Sequence, residues 1–410
     1  MPTESAQPRT RSAPGPLHGV RVLEFSALIA GPSCARFLAD HGAEVIKVER
    51  FPGGDISRHS FSTANPERGA MFLQHNAGKR SVCIDLKQAE GVELALALVR
   101  ESDVVIEAFT PGVMDRLGLG YDALRRAKPS IIVCSISGFG QTGPNATRPG
   151  YAHVSHAMSG WLALQFLHRD PPERPRGPGI AIGDTTAGLT AFGAVCAALF
   201  NRERTGTGEH IDISLFDALF CSNDFTYQAA LTAAPGNVQV WYHPVHATRD
   251  GYVTANVGPD MRAWQNVCKA MGREDLLKDP RFDTQDQVNT NAHAAAQLVG
   301  EWLAALTSTE AQAILDAHHV PCAPVLTVDQ AVRQPQVIER ELTVSVDDPV
   351  LGEMRTMNSA FRYTHATAGV TGPAPRLGEH NDAVLKEILG YDEQAINTLH
   401  EKGVLQRRDR

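Results

Sequence analysis

One aspartate, Asp184, stands where a carboxylate could act as a nucleophile. It follows Gly183 and precedes Thr185 and Thr186, ahead of an apolar run with helical spacing from Gly188 to about Asn201. An aspartate before such a run is commonly an N-cap, whose carboxylate accepts backbone N–H groups. Alternatively, the same N–H groups and the helix dipole would hold an ionised carboxylate ready to attack an activated acyl group. The residues alone leave both interpretations open.

The motifs around Asp184 resemble those of the family III CoA-transferases. G-D-x-x-x-G begins at Gly183, and R-x-x-T-G-x-G-x-x-[IV]-D-[IV]-S-L-x-D-A begins at Arg202. The resemblance extends from Pro16 to about Val404, with the separated motifs in the family's order. In that family the aspartate of G-D-x-x-x-G carries the acyl group and then CoA. The resemblance therefore implies that Asp184 is the catalytic nucleophile of a CoA-transferase.

The same resemblance implies a set of CoA-contacting residues. CoA requires cations for its phosphates, apolar walls for adenine and backbone groups for the pantetheine arm. Further cations beside predicted strand ends, Arg58 and Lys79-Arg80, are candidates for the phosphates, although such cations are usually solvated surface charges. The positions that match the family's CoA-contacting segments are Ile29, Ala30, Arg50, Ile84, Asp85, Leu86, Lys87, Ala108, Phe109, Thr110 and Arg116.

Several positions depart from the family pattern. Ile29 stands where formyl-CoA transferases have Gln, and Ala108 where the family usually has Asn. The segment RPGYAHVSHAMSG resembles R-P-G-Y-D-x-x-x-Q-A-x-x-G, with Ala152 in place of Asp and His156 in place of Gln. The glycine-rich loop of formyl-CoA transferases is missing from residues 225–250. We therefore expect an acid other than formate or oxalate, and a dicarboxylyl-CoA such as succinyl-CoA as the donor.

Two alternatives remain open at this stage. One is an α-methylacyl-CoA racemase of the same fold, although those relatives have His and Asp where this chain has Tyr151 and Ala152. Tyrosine is a poor base near neutral pH. The other is a non-catalytic acyl-CoA-binding protein, which would leave Asp184 without a role.

We expect no cofactor and no metal, because the CoA thioester is itself a substrate. Glu49 ends a predicted strand, as in dinucleotide sites, but Ser26 to Pro32 lacks G-x-G-x-x-G. The pairs His153/His156 and His243/His246 have H-x-x-H spacing without the glutamate and third ligand of a metallohydrolase.

Strand-like and helical segments alternate through the first half of the chain. This pattern predicts a doubly wound, Rossmann-like α/β domain, whose ligands bind at the carboxyl ends of parallel strands. The predicted strands are Val20–Phe25, Glu44–Glu49, Ser81–Leu86, Asp103–Glu107, Ile131–Ile136 and His210–Ser214.

Backbone N–H groups near Gly138–Gly140 or Gly183 are candidate donors of hydrogen bonds to the oxyanions formed during acyl transfer.

The predicted domain organisation has a disordered tail at 1–15 and a large domain at 16–225. A linker at 226–250 leads to a small α+β domain at 251–325, and residues 326–410 return to the large domain. The family resemblance further implies that the small domain is inserted into the large one, and that two chains interlock as a homodimer.

Composition limits the partners. A net charge of −8 over 410 residues argues against nucleic acid or an anionic membrane as a general partner. The seven cysteines form no C-x-x-C pair and lie mostly in apolar runs, as reduced thiols do. The apolar run Ala187–Phe200 is too short to span a bilayer, and the tail lacks a secretory apolar core. We therefore expect a cytoplasmic location.

Overall fold

The computed structural model describes residues 13–61, 65–164, 177–223, 225–232, 244–255 and 260–406. The chain folds as two compact units: the first combines Met1–Phe225 with Glu339–Arg410, and the second is Thr226–Ile338. The first unit is therefore built from two separated parts of the chain. Most of the predicted tail and part of the predicted linker lie outside the described residues.

A parallel sheet forms the centre of the first unit. Its strand order is β3-β2-β1-β4-β5-β6, and every neighbouring pair is parallel. The predicted doubly wound arrangement is confirmed. The order reverses between β1 and β4, so the carboxyl ends of these two strands flank the switch point where such sheets bind ligands. The strands are β1 (Arg21–Phe25), β2 (Glu44–Arg50), β3 (Arg80–Ile84), β4 (Val104–Glu107), β5 (Ile132–Ser137) and β6 (His210–Ser214).

Helices follow most of these strands. Along the chain to residue 232 they are α1 (Ala30–Asp40), α2 (Ala70–Asn76), α3 (Ala89–Arg100), α4 (Val113–Arg116), α5 (Tyr121–Ala127), α6 (Ala152–Met158), α7 (Trp161–Leu164), α8 (Ile182–Thr205), α9 (Leu215–Cys221) and α10 (Phe225–Thr232).

The sheet is covered on both faces. Alternate strand residues belong to two different hydrophobic clusters, because successive side chains of a strand point to opposite faces. Val22 packs in the cluster that includes α1 and α8, whereas Leu23 packs in the cluster that includes α3. The C-terminal part of the chain adds Val384 and Leu385 to this second cluster. Both faces are therefore buried, as the almost continuously apolar strands predict.

Helix α8 is longer than the sequence predicts. It has 24 residues and begins at Ile182, before Asp184, where the sequence places the helix start. At Gly188 the helix lies close against α1, because a Cβ added there would lie 2.7 Å from Ser33 Cβ and 2.9 Å from the Ala30 carbonyl oxygen. This contact places the first turn of α8 beside the start of α1, at the carboxyl edge of the sheet.

Of the described helices, α8 alone is long and apolar enough to cross a membrane, judged by length and composition. It extends beyond the apolar run Ala187–Phe200, which we expected to be too short for a bilayer. Its residues Ala187, Ala191 and Val195 belong to the hydrophobic cluster that also contains Val22 and α1. A core helix of a globular domain meets the same two criteria, so this single helix is weak evidence for a membrane span.

The second unit combines helices with an antiparallel sheet of order β7-β8-β9. Its core includes the fully buried rings of Trp264 and Phe282. Its elements are β7 (Val245–Ala247), β8 (Tyr252–Ala255), α11 (Met261–Met271), α12 (Gln285–Thr290), α13 (Ala292–Leu303), α14 (Ser308–Ala317), β9 (Cys322–Pro324), α15 (Val328–Ala331) and α16 (Pro335–Glu339).

The chain then returns to the first unit. An antiparallel hairpin is followed by two helices, and the chain end pairs Leu405 with Ile84 at the end of β3. The elements are β10 (Thr343–Asp348), β11 (Gly352–Met357), α17 (Asn381–Leu389) and α18 (Glu393–Glu401).

Candidate active site

Asp184 lies in the first turn of α8 and is partly buried. The N-cap is Ala181, which makes no side-chain capping bond, so the interpretation of Asp184 as an N-cap is wrong. The backbone N–H groups of Asp184 itself and of Ala152, the first residue of α6, lie near enough to the carboxylate to favour its ionised form. A segment distant in the chain therefore lies beside the carboxylate.

Burial sets the protonation of this carboxylate. Desolvation raises the pKa of Asp184 from 3.8 to about 6, while the two backbone N–H groups oppose this shift. We expected the N–H groups and the helix dipole to dominate and to favour the ionised form. In the structure the pKa of Asp184 is raised instead of lowered, because the loss of solvation outweighs the effect of the N–H groups. Above pH 6 the carboxylate is nevertheless mostly ionised, and a poorly solvated carboxylate is a better nucleophile than one in water.

The raised pKa predicts an acid limit on any reaction that begins with attack by Asp184. The anion is the reactive form, so the rate of acyl transfer should fall with an apparent pKa near 6, about tenfold per pH unit well below it. Single-turnover rates between pH 4.5 and 8.5 would measure this limb, with circular dichroism at each pH to confirm folding. An acid limb centred near pH 4 would contradict the burial of the carboxylate.

A cavity of about 360 Å³ adjoins the start of α8. Its lining in the described part of the chain consists of Ala152, His153, His156, Leu162 and residues 177–181. Ala152 lines the cavity, and its backbone N–H group lies near the Asp184 carboxylate. The cavity is therefore next to the carboxylate, and its lining is largely apolar apart from the two histidines. Pockets of this size and character hold small organic ligands.

Two of the expected oxyanion donors are already engaged. The N–H group of Gly183 donates to His156 Nε2 at 3.1 Å, and that of Gly140 donates to Ser137 Oγ at 2.9 Å. The expectation that these two groups would stabilise an oxyanion is therefore wrong for this structure. The N–H group of Gly183 instead links α8 to α6.

The residues that match the family's CoA-contacting segments lie along the carboxyl edge of the sheet. Ile29 and Ala30 follow β1, Arg50 ends β2, and Ala108, Phe109 and Thr110 follow β4. Ile84 ends β3 and is followed by Asp85, Leu86 and Lys87, whereas Arg116 lies at the end of α4. Neighbouring strands are about 4.8 Å apart, so these segments form one continuous edge roughly 15 Å long. Asp184 joins this edge through the contact of α8 with α1.

The three cations of this set are exposed. Arg50, Lys87 and Arg116 make no ion pair with any residue that the structure describes. They therefore remain able to pair with phosphates. The side chain of Ile84, in contrast, is 1% exposed and belongs to the hydrophobic core, so only its backbone could contact a ligand.

The loop after β1 and the loop after β4 pack tightly against the start of α1 at the switch point. A Cβ added at Gly31 would lie 2.4 Å from Ser26 Cβ and 3.1 Å from Ala108 Cβ. Glycine is therefore needed at position 31, because any side chain would collide with the loop itself. Ala108 fills this space where the family usually has Asn, so the loop after β4 lies directly against the start of α1.

A network of buried charged side chains lies beneath these loops, and we did not predict it from the sequence. Glu24 and Lys47 are register partners on β1 and β2, and their side chains bond at 2.8 Å. Lys47 also pairs with Asp55 at 3.0 Å and donates to the Ser26 carbonyl oxygen at 2.7 Å. Asp55 in turn accepts the N–H group of Leu28 at 3.2 Å. The network therefore fixes the loop that leads to Ile29 and Ala30.

Two proposed phosphate ligands belong to this buried layer instead. Lys79 donates to Glu24 at 2.7 Å and to the carbonyl oxygen of Pro32, and Arg58 pairs with Glu49 at 2.6 Å. Both cations are buried and engaged, so the expectation that they bind phosphate is wrong. Arg80, the third candidate, pairs with Glu44 and Glu387. The signal that could have revealed the network is a charged residue in the middle of two adjacent, otherwise apolar strands.

The histidine pairs do not form a metal centre in the described ranges. No group of three or more His, Cys, Asp or Glu side chains there is placed to hold a metal ion. His153 and His156 belong to α6, whereas His246 is buried in the second unit and His243 lies outside the described residues.

Comparisons with known proteins agree on one family. The model of the family described as "CoA-transferase family III" matches residues 17–381. A succinyl-CoA–D-citramalate CoA-transferase of Chloroflexus aurantiacus is 34% identical over 96% of this chain and 98% of its own. A succinyl-CoA:glutarate CoA-transferase of Mus musculus is 31% identical over 96% of this chain and 91% of its own. The crystal structure of a CAIB/BAIF family protein from Brucella suis, 32% identical, superposes with a TM-score of 0.80 and covers 92% of this chain and 100% of its own.

Proposed function

The chain belongs to the family III CoA-transferases, and we propose that Asp184 is the residue through which it moves CoA from an acyl-CoA to a free carboxylate. CoA transfer between carboxylates is the activity that the chain shares with its relatives. The observation that supports Asp184 is its partly buried carboxylate, which lies near the Ala152 N–H group and beside a cavity large enough for an organic acid.

The chemistry balances without ATP, because the thioester is conserved. An oxygen of Asp184 attacks the thioester carbonyl of the donor, the C–S bond breaks, and CoA leaves as a thiolate with an aspartyl anhydride in place. The thiolate attacks the aspartyl carbonyl of the anhydride, which releases the donor acid and leaves an aspartyl-CoA thioester. The acceptor carboxylate then attacks this thioester, the C–S bond breaks, and CoA leaves again as a thiolate with a second anhydride in place. The returning thiolate attacks the acceptor's carbonyl, which gives the new acyl-CoA and frees Asp184.

We propose that CoA lies along the carboxyl edge of the sheet. The exposed, unpaired cations Arg50, Lys87 and Arg116 would hold its phosphates. The backbone of Ile29–Ala30 and of Ala108–Thr110, on either side of the switch point, would guide the pantetheine arm toward Asp184. The remaining members of the set, Ile84, Asp85, Leu86 and Phe109, would contribute backbone groups and an apolar wall. No cofactor is required in this scheme, because CoA arrives and leaves as a substrate.

We propose a dicarboxylyl-CoA, in particular succinyl-CoA, as the donor. The support is that relatives from two distant organisms are named as transferases that use succinyl-CoA. The cavity of about 360 Å³ has room for the acyl part of such a donor.

A matrix of acyl-CoA donors against free carboxylic acids tests this function. Succinyl-, glutaryl-, acetyl- and formyl-CoA would be incubated with a panel of acids, and the CoA products would be identified by mass spectrometry. We expect a new acyl-CoA with succinyl-CoA and not with formyl-CoA. A separate incubation of a 2-methylacyl-CoA in deuterated water addresses the racemase alternative, since exchange at its α-carbon without CoA transfer would contradict the proposal.

Assembly and location are also proposals. The family resemblance supports a homodimer of interlocked chains, which could not separate without extensive unfolding. Sedimentation equilibrium down to nanomolar concentration should then show dimer, and a folded monomer would contradict it. The net charge of −8 and the seven unpaired cysteines support a cytoplasmic location. Fractionation of the source cells would test this, and recovery with the membranes would argue against it.

A further inference from the structure

Helix α8 begins without a cap from its own neighbourhood. The first N–H groups of a helix have no partner within the helix and need one from elsewhere. Ala181, the N-cap, offers no side-chain acceptor. The N–H group of Gly183 is satisfied by His156 Nε2, which reaches it at 3.1 Å from a position 27 residues earlier in the chain. The cap of the helix that carries Asp184 therefore comes from α6.

We propose that His156 is a positioning residue for the Asp184 nucleophile, an inference that rests on the proposed function of Asp184. His156 would act as a neutral hydrogen-bond acceptor that fixes the first turn of α8 through Gly183. His156 also lines the cavity, but this role requires no contact with the substrate. Its role is to hold the carboxylate where the Ala152 N–H group and the cavity meet.

Two contacts from the same helix define this position. Ala152 lies one helical turn before His156 on α6, and its backbone N–H group lies near enough to the Asp184 carboxylate to favour the ionised form. A Cβ added at Gly183 would lie 3.5 Å from His156 Nε2 and 3.6 Å from Ala152 Cα, so α6 and the first turn of α8 are in van der Waals contact. One face of α6 therefore holds both Gly183 and Asp184. Loss of either contact would let the carboxylate move relative to the cavity.

The burial of His156 indicates that its imidazole serves as a hydrogen-bond acceptor and does not only fill space. The residue is 2% exposed, and burial lowers the pKa of its imidazole, which favours the neutral form. Because Nε2 accepts, the proton of the neutral ring is on Nδ1, and Nδ1 has no partner among the described residues. A buried donor without a partner is unfavourable, and an apolar side chain would avoid that cost. The Nε2 acceptor is thus the contribution that an apolar residue could not replace.

Two substitutions separate the acceptor from the ring. His156→Gln keeps an oxygen that can accept from Gly183 but removes the ring, which packs against Trp161 with centroids 5.0 Å apart. His156→Phe keeps a ring of similar size but removes the acceptor. If His156 positions Asp184, kcat of CoA transfer should fall about 10- to 100-fold in His156→Phe, with KM changed less than about threefold. In His156→Gln, kcat should stay within about threefold of the parent.

A second buried histidine provides the matched control. His246→Phe alters a side chain that is 6% exposed in the second unit, and it should leave kcat unchanged even where it lowers thermal stability. Retention of kcat in His156→Phe, or its loss in His156→Gln, would overturn the proposal. If the parent protein transfers CoA in no donor and acceptor pair, the proposed function fails instead.

The pKa of Asp184 gives a readout that does not depend on activity. Carbon-13 NMR of labelled aspartate carboxyl groups, assigned by comparison with Asp184→Asn, should titrate near pH 6 in the parent and in His156→Gln. In His156→Phe we expect the start of α8 to open to water, which would lower this pKa by about one unit or more. An unchanged pKa in His156→Phe would count against positioning through Gly183.

Discussion

Asp184→Asn is expected to lower kcat of CoA transfer by roughly a thousandfold or more. The substitution keeps the size and position of the side chain but replaces the nucleophilic oxygen anion with a neutral amide. Without that anion no anhydride can form, and the described active site offers no second carboxylate beside the cavity. In the parent, hydroxylamine trapping during turnover should modify one peptide, the one that contains Asp184. Near-parent turnover in Asp184→Asn, or trapping at another residue, would falsify the mechanism.

The matched control for this variant is Asp122→Asn. Asp122 is also a first-turn helical aspartate, but it is exposed on α5 and is not among the residues that line the cavity. We expect its kcat to equal that of the parent. A similar loss in both variants would indicate that the assay reports general damage to helix starts rather than loss of the nucleophile.

Asp184→Asn is also expected to stabilise the fold. The pKa of Asp184 is raised to about 6 in the folded protein, above the ordinary value of 3.8, so the folded state binds its proton more tightly than the unfolded state. The stability that this group contributes is full below pH 3.8 and is lost as pH rises through 6. At pH 7 the ionised group therefore destabilises the fold by roughly 1–3 kcal/mol. Urea unfolding should show Asp184→Asn to be the more stable protein at pH 7, with the difference vanishing near pH 4.

Lys47→Met is expected to lower the free energy of unfolding by roughly 3–5 kcal/mol. Lys47 is fully buried between Glu24 and Asp55, and these carboxylates hold its pKa above the ordinary value although burial alone would lower it. Methionine fills a similar volume but leaves Asp55 buried without a cation. It also removes the donor to the Ser26 carbonyl oxygen, so the loop before α1 should loosen. Urea unfolding at pH 7 measures the loss.

A double variant identifies the cause of this loss. Asp55→Asn removes the stranded negative charge while keeping an oxygen that can accept from Ser57 and Leu28, as Asp55 Oδ1 does. Adding it to Lys47→Met should recover roughly 1–2 kcal/mol. Lys87→Met, at an exposed position after β3, should change stability by less than about 0.5 kcal/mol. Equal losses in Lys47→Met and Lys87→Met would contradict the argument from burial.

The sequence by itself determined the architecture of the first unit. The strand-like run Val20–Phe25 and the apolar run Ile131–Ile136 coincide with β1 and β5 to within one residue at each end, and the alternation of strands and helices predicted the parallel sheet. These features are local: a strand buried on both faces is mostly apolar, and this pattern can be read without knowing its neighbours. The motif around Asp184 similarly indicated the family and the candidate nucleophile.

Only the tertiary structure decided the environment of that nucleophile. The sequence placed Asp184 near a helix start, but the helix begins earlier, at Ile182, because the cap is supplied by His156 from α6. The pKa of Asp184 is raised rather than lowered, since desolvation depends on what the rest of the chain packs around the carboxylate. Lys79 was a candidate phosphate ligand until its contacts with Glu24 and Pro32 showed it to be buried. Burial and capping by distant residues depend on contacts between segments far apart in the chain, and no local pattern records them.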